Sequence, residues 1–276
     1  MKNDSFNHPG GARALLALAL ALVAALVAVS VAEGADANVG EYFTVDGIEY
    51  VVTDEGSHQV EIIGYEGSPE HVYGTVSYYG YEWTVVSVGD GAFDGCGSLT
   101  TVDLPSATFV GLGAFNYCGS LTTVDLPSAT YVGEGAFYSC ESLTTVDLSS
   151  ATYVGESALL GCDALTFARF SDELESVGVG AFSVSFYSGS ELLSADAASL
   201  KGRTFMGSGN GVLYEGFAVA SPDGGGTVLC RVTDGASHKV EIYGYEGSPE
   251  HVHGTVSYGG ADWTVVSVGD RAFHGC

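Results

Sequence analysis

The chain has 276 residues, 40 of them glycine, and a formal charge of −26 with only eight Lys and Arg together. An acidic surface of this size repels nucleic acid and anionic lipid, which argues against DNA or RNA as a partner. Apolar content of 46% is enough for a core and excludes wholesale disorder, while abundant glycine without a collagen period points to many tight turns.

Residues 1–37 have the features of a targeting segment. Lys2 and Arg13 precede an apolar run from Ala14 to Ala32, and Ala35-Asp36-Ala37 offers small residues for a signal peptidase. The run of residues 14–32 is also long enough to span a bilayer, so a retained N-terminal anchor is the alternative. Either way the remainder is expected to be secreted or displayed at the cell surface, with membrane contact only through residues 14–32 if uncleaved.

Residues 38–87 form a β-rich lead-in. Glu49–Val52, Gln59–Ile63, Gly74–Tyr78 and Trp83–Val86 are strand-like runs separated by glycine-containing turns. A solenoid needs its first coil covered, and this unit is placed to be that cap. Tyr78, Tyr79 and Tyr81 concentrate aromatics in it and form one candidate binding surface.

Residues 88–183 repeat with a step of 22. Ser98–Leu104 recurs as Ser120–Leu126 and Ser142–Leu148. The same step relates Phe93, Phe115 and Phe137, with Leu159 in the fourth slot, and the cysteines Cys96, Cys118, Cys140 and Cys162. A short fixed period is the mark of a solenoid, in which each coil buries its apolar face against its neighbours. Alternation in Leu99–Leu104 puts Leu99, Val102 and Leu104 inward and Thr101 and Asp103 outward on a short strand. Thr108–Gly111 is a second short strand, and Ala114–Cys118 a tight turn, expected to be 3₁₀. The four cysteines hold equivalent slots, so their Cβ vectors run parallel and they are expected as buried thiols rather than disulfides.

Thr101, Asp103, Thr123, Asp125, Thr145 and Asp147 then form a regular outward face, the first candidate for ligand binding. Like charges on neighbouring strands repel. Arg169, in the next register, could relieve Asp147, and Ca²⁺ could serve Asp103, Asp125 and Asp147; no other cofactor is indicated. Paired-carboxylate catalysis is not supported, because identical neighbours cannot push two pKa values apart.

Residues 184–225 lose the period and serve as spacer or closing cap. Thr233–Cys276 then aligns without a gap to Thr53–Cys96, 180 residues earlier, with 34 of 44 positions identical. Residues 226–276 are thus a second lead-in and the start of a truncated second module, and Cys230 and Cys276 have no assigned partner.

The coils resemble the BspA-like leucine-rich repeats of treponemal and Bacteroides surface proteins. That family's coil runs roughly I-G-x-x-A-F-x-x-C-x-x-L-x-x-I-x-L-P, and Val110–Pro127 matches it at every marked position with Val for Ile. Leu159-Leu160, Arg169 and the missing prolines after Leu148 and Phe170 depart from it in the last coil. The resemblance implies a leucine-rich-repeat solenoid of 22-residue coils with small β caps, and a non-enzymatic surface protein used in adhesion to a protein or glycan. The other reading is a structural cell-envelope protein whose acidic surface binds divalent cations.

Overall fold

The computed structural model describes residues 37–207, 211–220, 226–247, 254–258 and 261–268. Residues 1–36 of the targeting segment and Cys276 lie outside the described residues. Almost every element is a strand, and two sheets run side by side along the chain.

The lead-in supplies β1 (Tyr42–Val45), β2 (Ile48–Asp54), β3 (Gln59–Tyr65), β4 (His71–Tyr73), β5 (Thr75–Tyr78) and β6 (Tyr81–Val88). Each coil then contributes one strand to each sheet. One sheet receives β8 (Phe109–Val110), β10 (Tyr131–Val132), β12 (Tyr153–Val154) and β14 (Ser176–Val177), stacked in parallel after β6. The other receives β7 (Thr101–Asp103), β9 (Thr123–Asp125), β11 (Thr145–Leu148) and β13 (Phe167–Phe170), stacked in parallel after β4. The lead-in is therefore continuous with the coils, because β4 and β6 are the first rungs of the two sheets.

Period-two alternation within each strand fills the space between the sheets. Val102, Val124 and Val146 point inward from one side and Val88, Val110, Val132 and Val154 from the other, all nearly or fully buried. Phe93, Phe115 and Phe137 stack between them at 5.3 and 5.2 Å with their rings 3° apart. Tyr65 of β3 covers the upper end of this column at 5.7 Å from Phe93.

A third wall closes each coil. The N–H groups of Gly113, Phe115 and Tyr117 donate to Glu134, Ala136 and Tyr138 in the next coil. Those of Ala114, Asn116 and Cys118 donate three residues back in their own coil. Every second donor is thus committed to a neighbour, so each segment stays the single tight turn expected and does not extend into a 3₁₀ helix. Gly113 (φ 58°) and Tyr117 (φ 56°) take the left-handed conformation that this alternation needs.

The cysteines lie in this wall, free and buried. The thiols of Cys118, Cys140 and Cys162 donate to the carbonyls of Phe93, Phe115 and Phe137 in the preceding coils at 3.1–3.2 Å. Burial raises the Cys118 pKa, and a hydrogen bond with Cys162, then burial, raises that of Cys140. The thiolate is the reactive form. Native protein at pH 8 is therefore expected to leave Cys118 and Cys140 unmodified by iodoacetamide, with both alkylated after denaturation; mass spectrometry of the two samples checks this.

The stack ends where strand direction reverses. β17 (Thr204–Gly207) pairs antiparallel with β13, and Phe170, Phe182, Phe186 and Phe205 meet edge to face beneath the last coil. β15 (Ser185–Ser188), β16 (Glu191–Leu193), one helical turn at Ala197–Leu200 and β18 (Val212–Ala220) complete this closure. β19 (Gly226–Asp234), β20 (Lys239–Gly247), β21 (Thr255–Tyr258) and β22 (Ala261–Val268) follow. They repeat the pairing of β2, β3, β5 and β6 with the same register and the same bulges, offset by 180 residues. This second lead-in has its own small core of Phe217, Val228, Cys230, Val232, Val240 and Ile242.

Candidate functional site

The outward rows of β7, β9 and β11 stand where the alternation predicts. Thr101 pairs in register with Thr123 and Thr123 with Thr145, while Asp103 pairs with Asp125. β4 extends both rows by one rung, with His71 beside Thr101 and Tyr73 beside Asp103. Asp103, Thr123 and Asp125 are exposed, and Thr101, Thr145 and Asp147 half-buried. A second threonine row stiffens the edge of this face: Thr122 Oγ1 donates to the Thr100 carbonyl at 3.1 Å, and Thr144 to Thr122 at 3.0 Å.

Charge along the aspartate row is only partly relieved. Arg169 pairs with Asp147 at 3.1 Å. Asp125 sits between two carboxylates, and burial, then Asp103, then Asp147 raise its pKa. A carboxyl whose folded pKa lies above its unfolded one adds stability when protonated and loses it as pH rises through the folded pKa. Asp125→Asn is therefore expected to stabilise the protein at pH 7 by about 0.5 kcal/mol. That gain should vanish below pH 4, as urea melts of both proteins across pH would show.

Among the described residues, no three His, Cys, Asp or Glu side chains converge as a metal site. The aspartates stand one per rung instead of around a point, which is a poor cage for Ca²⁺.

The cap tyrosines separate into different environments. Tyr78 is half-buried, stacked on Phe43 at 3.8 Å and donating to Glu41 at 3.0 Å, so it belongs to the packing of the cap. Tyr79, at φ 51°, and Tyr81 are exposed. Tyr81 stacks on His58 at 4.7 Å beside an open cleft of about 380 Å³ lined by Ala37, Glu55, Gly56, His58, Tyr81 and Trp83. Trp83 itself is buried, its indole N–H donating to the Tyr78 carbonyl.

Residues 78–188 match the model for the BspA type leucine-rich repeat region in six copies. This stretch is similar to a BspA-type leucine-rich repeat region. No curated protein matches the chain. Solved structures do. A leucine-rich repeat protein of T. pallidum is 27% identical over 51% of this chain and 66% of its own length, with a TM-score of 0.44. One from Bacteroides capillosus is 25% identical over 40% of this chain and 84% of that one, with a TM-score of 0.35. One from Bacteroides ovatus is 25% identical over 51% of this chain and 44% of that one, with a TM-score of 0.40. The chain thus spans under two-thirds of the T. pallidum and B. ovatus proteins. Among the described residues no helix is long and apolar enough to cross a membrane.

The BspA-type coils carry one surface feature that the alternation argument passed over. On the other sheet, Phe109, Tyr131 and Tyr153 stack outward at 4.9 and 4.7 Å with rings 8° and 5° apart. Their 22-residue step was available in the sequence, but the inward valines beside them drew the reading to the core.

Proposed function

We propose that the chain is an exported, surface-displayed binding protein of adhesin type, acting by recognition and not by catalysis. The contact surface is the sheet that carries Thr101, Asp103, Thr123, Asp125, Thr145 and Asp147, and the ligand is a protein or a glycan. The observation behind this reading is the in-register display of alternating hydroxyl and carboxylate rows on rigid parallel strands. Such an array is preorganised, so a ligand with matching donors binds without the entropy loss of ordering it. A leucine-rich-repeat scaffold supplies many such rungs on one extended face.

Capture of host matrix proteins and a glycan array provide the test. Asp125→Asn and Thr123→Ala should each abolish or strongly weaken the captured interaction while the melting curve remains cooperative. Retention of full binding by both variants would remove this sheet from consideration.

A further inference from the structure

A second surface carries a different chemistry. Glu61, Ser87, Phe109, Tyr131, Tyr153 and Ser176 are successive register partners across β3, β6, β8, β10, β12 and β14. Phe109 and Tyr131 are 40% and 37% exposed, a large area for rings that could have been placed inside. The three rings cover one another, but the stack stops at a serine on each side. Neither serine is large enough to cover a ring; Phe109 is exposed at its end of the stack and Tyr153 half-buried at the other. A carboxylate follows the serine at each end, Glu61 in the next register position beyond Ser87 and Glu175 next to Ser176 in the chain. Glu61 Oε2 accepts from Ser87 Oγ at 3.1 Å, and Glu175 is exposed next to Ser176. Glu134 and Glu156 are exposed along the flank of the row.

No compensating cation is near in sequence. Between Arg13 and Arg169 there is neither lysine nor arginine, and Arg169 lies on the other sheet, paired with Asp147. An aromatic face with a carboxylate beside it suits a guanidinium, which stacks flat on the ring while its N–H groups bond the acid. A second copy of this chain, with the same charge of −26, is repelled.

We propose that the Phe109–Tyr131–Tyr153 row is a docking ridge for an arginine-bearing polypeptide. Its guanidinium groups stack on Phe109 and Tyr153 from the serine ends of the row and pair with Glu61 and Glu175. This surface is on the opposite sheet from the threonine–aspartate face and does not depend on it.

The test uses the full chain and two fluorescent peptides of equal length, one of arginine and glycine, the other of lysine and glycine. Fluorescence anisotropy should show tighter binding of the arginine peptide. The double variant Phe109→Ala with Tyr153→Ala should weaken it about tenfold and erase the preference over lysine. Glu61→Gln with Glu175→Gln, which leaves the rings in place, should also weaken the arginine peptide, and Asp125→Asn should not. Equal affinity for the two peptides would reduce the interaction to bulk charge and overturn the proposal. Unchanged binding by the ring variant would overturn it too. So would ring-dependent binding of a neutral polysaccharide with no arginine preference, which would make the row a glycan platform.

Discussion

Phe115→Ala is expected to lower the unfolding free energy by about 4 kcal/mol, the middle of the range for emptying a buried aromatic site. Phe115 is wholly buried and is sandwiched between Phe93 and Phe137, so truncation removes two ring contacts at once. Its own N–H is held by Ala136, and the Phe115 carbonyl is the acceptor for the Cys140 thiol. From the preceding coil, Phe93 N–H donates to the Ala114 carbonyl at 2.7 Å, so the backbone is tied to both neighbours and cannot collapse into the space. A solenoid's stability is close to a sum of nearest-neighbour terms. Loosening this coil weakens the interfaces above and below it, and the urea midpoint should fall sharply. Phe115→Leu is the internal control. The equivalent slot of the fourth coil already holds Leu159, fully buried, so leucine is expected to cost about 1 kcal/mol. A loss below about 1 kcal/mol for Phe115→Ala would mean that the phenylalanine column is not what joins the coils.

The parts legible in the sequence were those set by side-chain period. Inward Val102 and outward Asp103 follow from alternation, and the Phe and Cys columns follow from a constant step between equivalent slots. The Arg169–Asp147 pair was predictable because register carries over from coil to coil once the strands are parallel. The parts that stayed hidden depend on backbone donors. Nothing in Ala114–Cys118, which reads as one tight turn, announces that alternate N–H groups cross to the next coil. The continuity of cap and coils was hidden for a related reason: β4 is only three residues, His71–Tyr73, and its partner β7 lies 30 positions away. Tyr78 looked like one of several surface tyrosines because its partner, Phe43, comes from a strand far back in the chain. The aromatic row was written at the same 22-residue step as the core, but exposure of a ring is decided by which face of a two-residue strand it takes.

Gly133→Ala is expected to cost about 3 kcal/mol, although it adds one methyl group at an unstrained backbone position. The reason is distance between coils. A Cβ on Gly133 would stand 2.6 Å from the carbonyl carbon of Gly111 and 2.8 Å from the amide nitrogen of Leu112. Those are backbone atoms and cannot swing away. The same conflict awaits a Cβ on Gly111, which would meet the Asp90 nitrogen at 2.7 Å, and one on Gly155, 2.5 Å from the Gly133 carbonyl carbon. The glycine column is what lets Gly133 N–H reach the Val110 carbonyl at 2.8 Å and Gly155 N–H reach that of Val132 at the same distance. A methyl group there pushes two rungs apart and lengthens a hydrogen bond in each sheet neighbour. Gly113→Ala gives the contrast. Gly113 has φ 58°, but its nearest neighbour to a new Cβ is Asn116 Cβ at 3.7 Å, and the chain places Ser157 at φ 54° in the equivalent slot. Its cost should be about 1 kcal/mol, the strain of a left-handed non-glycine residue alone. Urea denaturation of the two variants side by side separates the causes. Equal losses would assign the glycine column to backbone conformation, and a loss two or three times larger for Gly133→Ala would assign it to the close approach of one coil to the next.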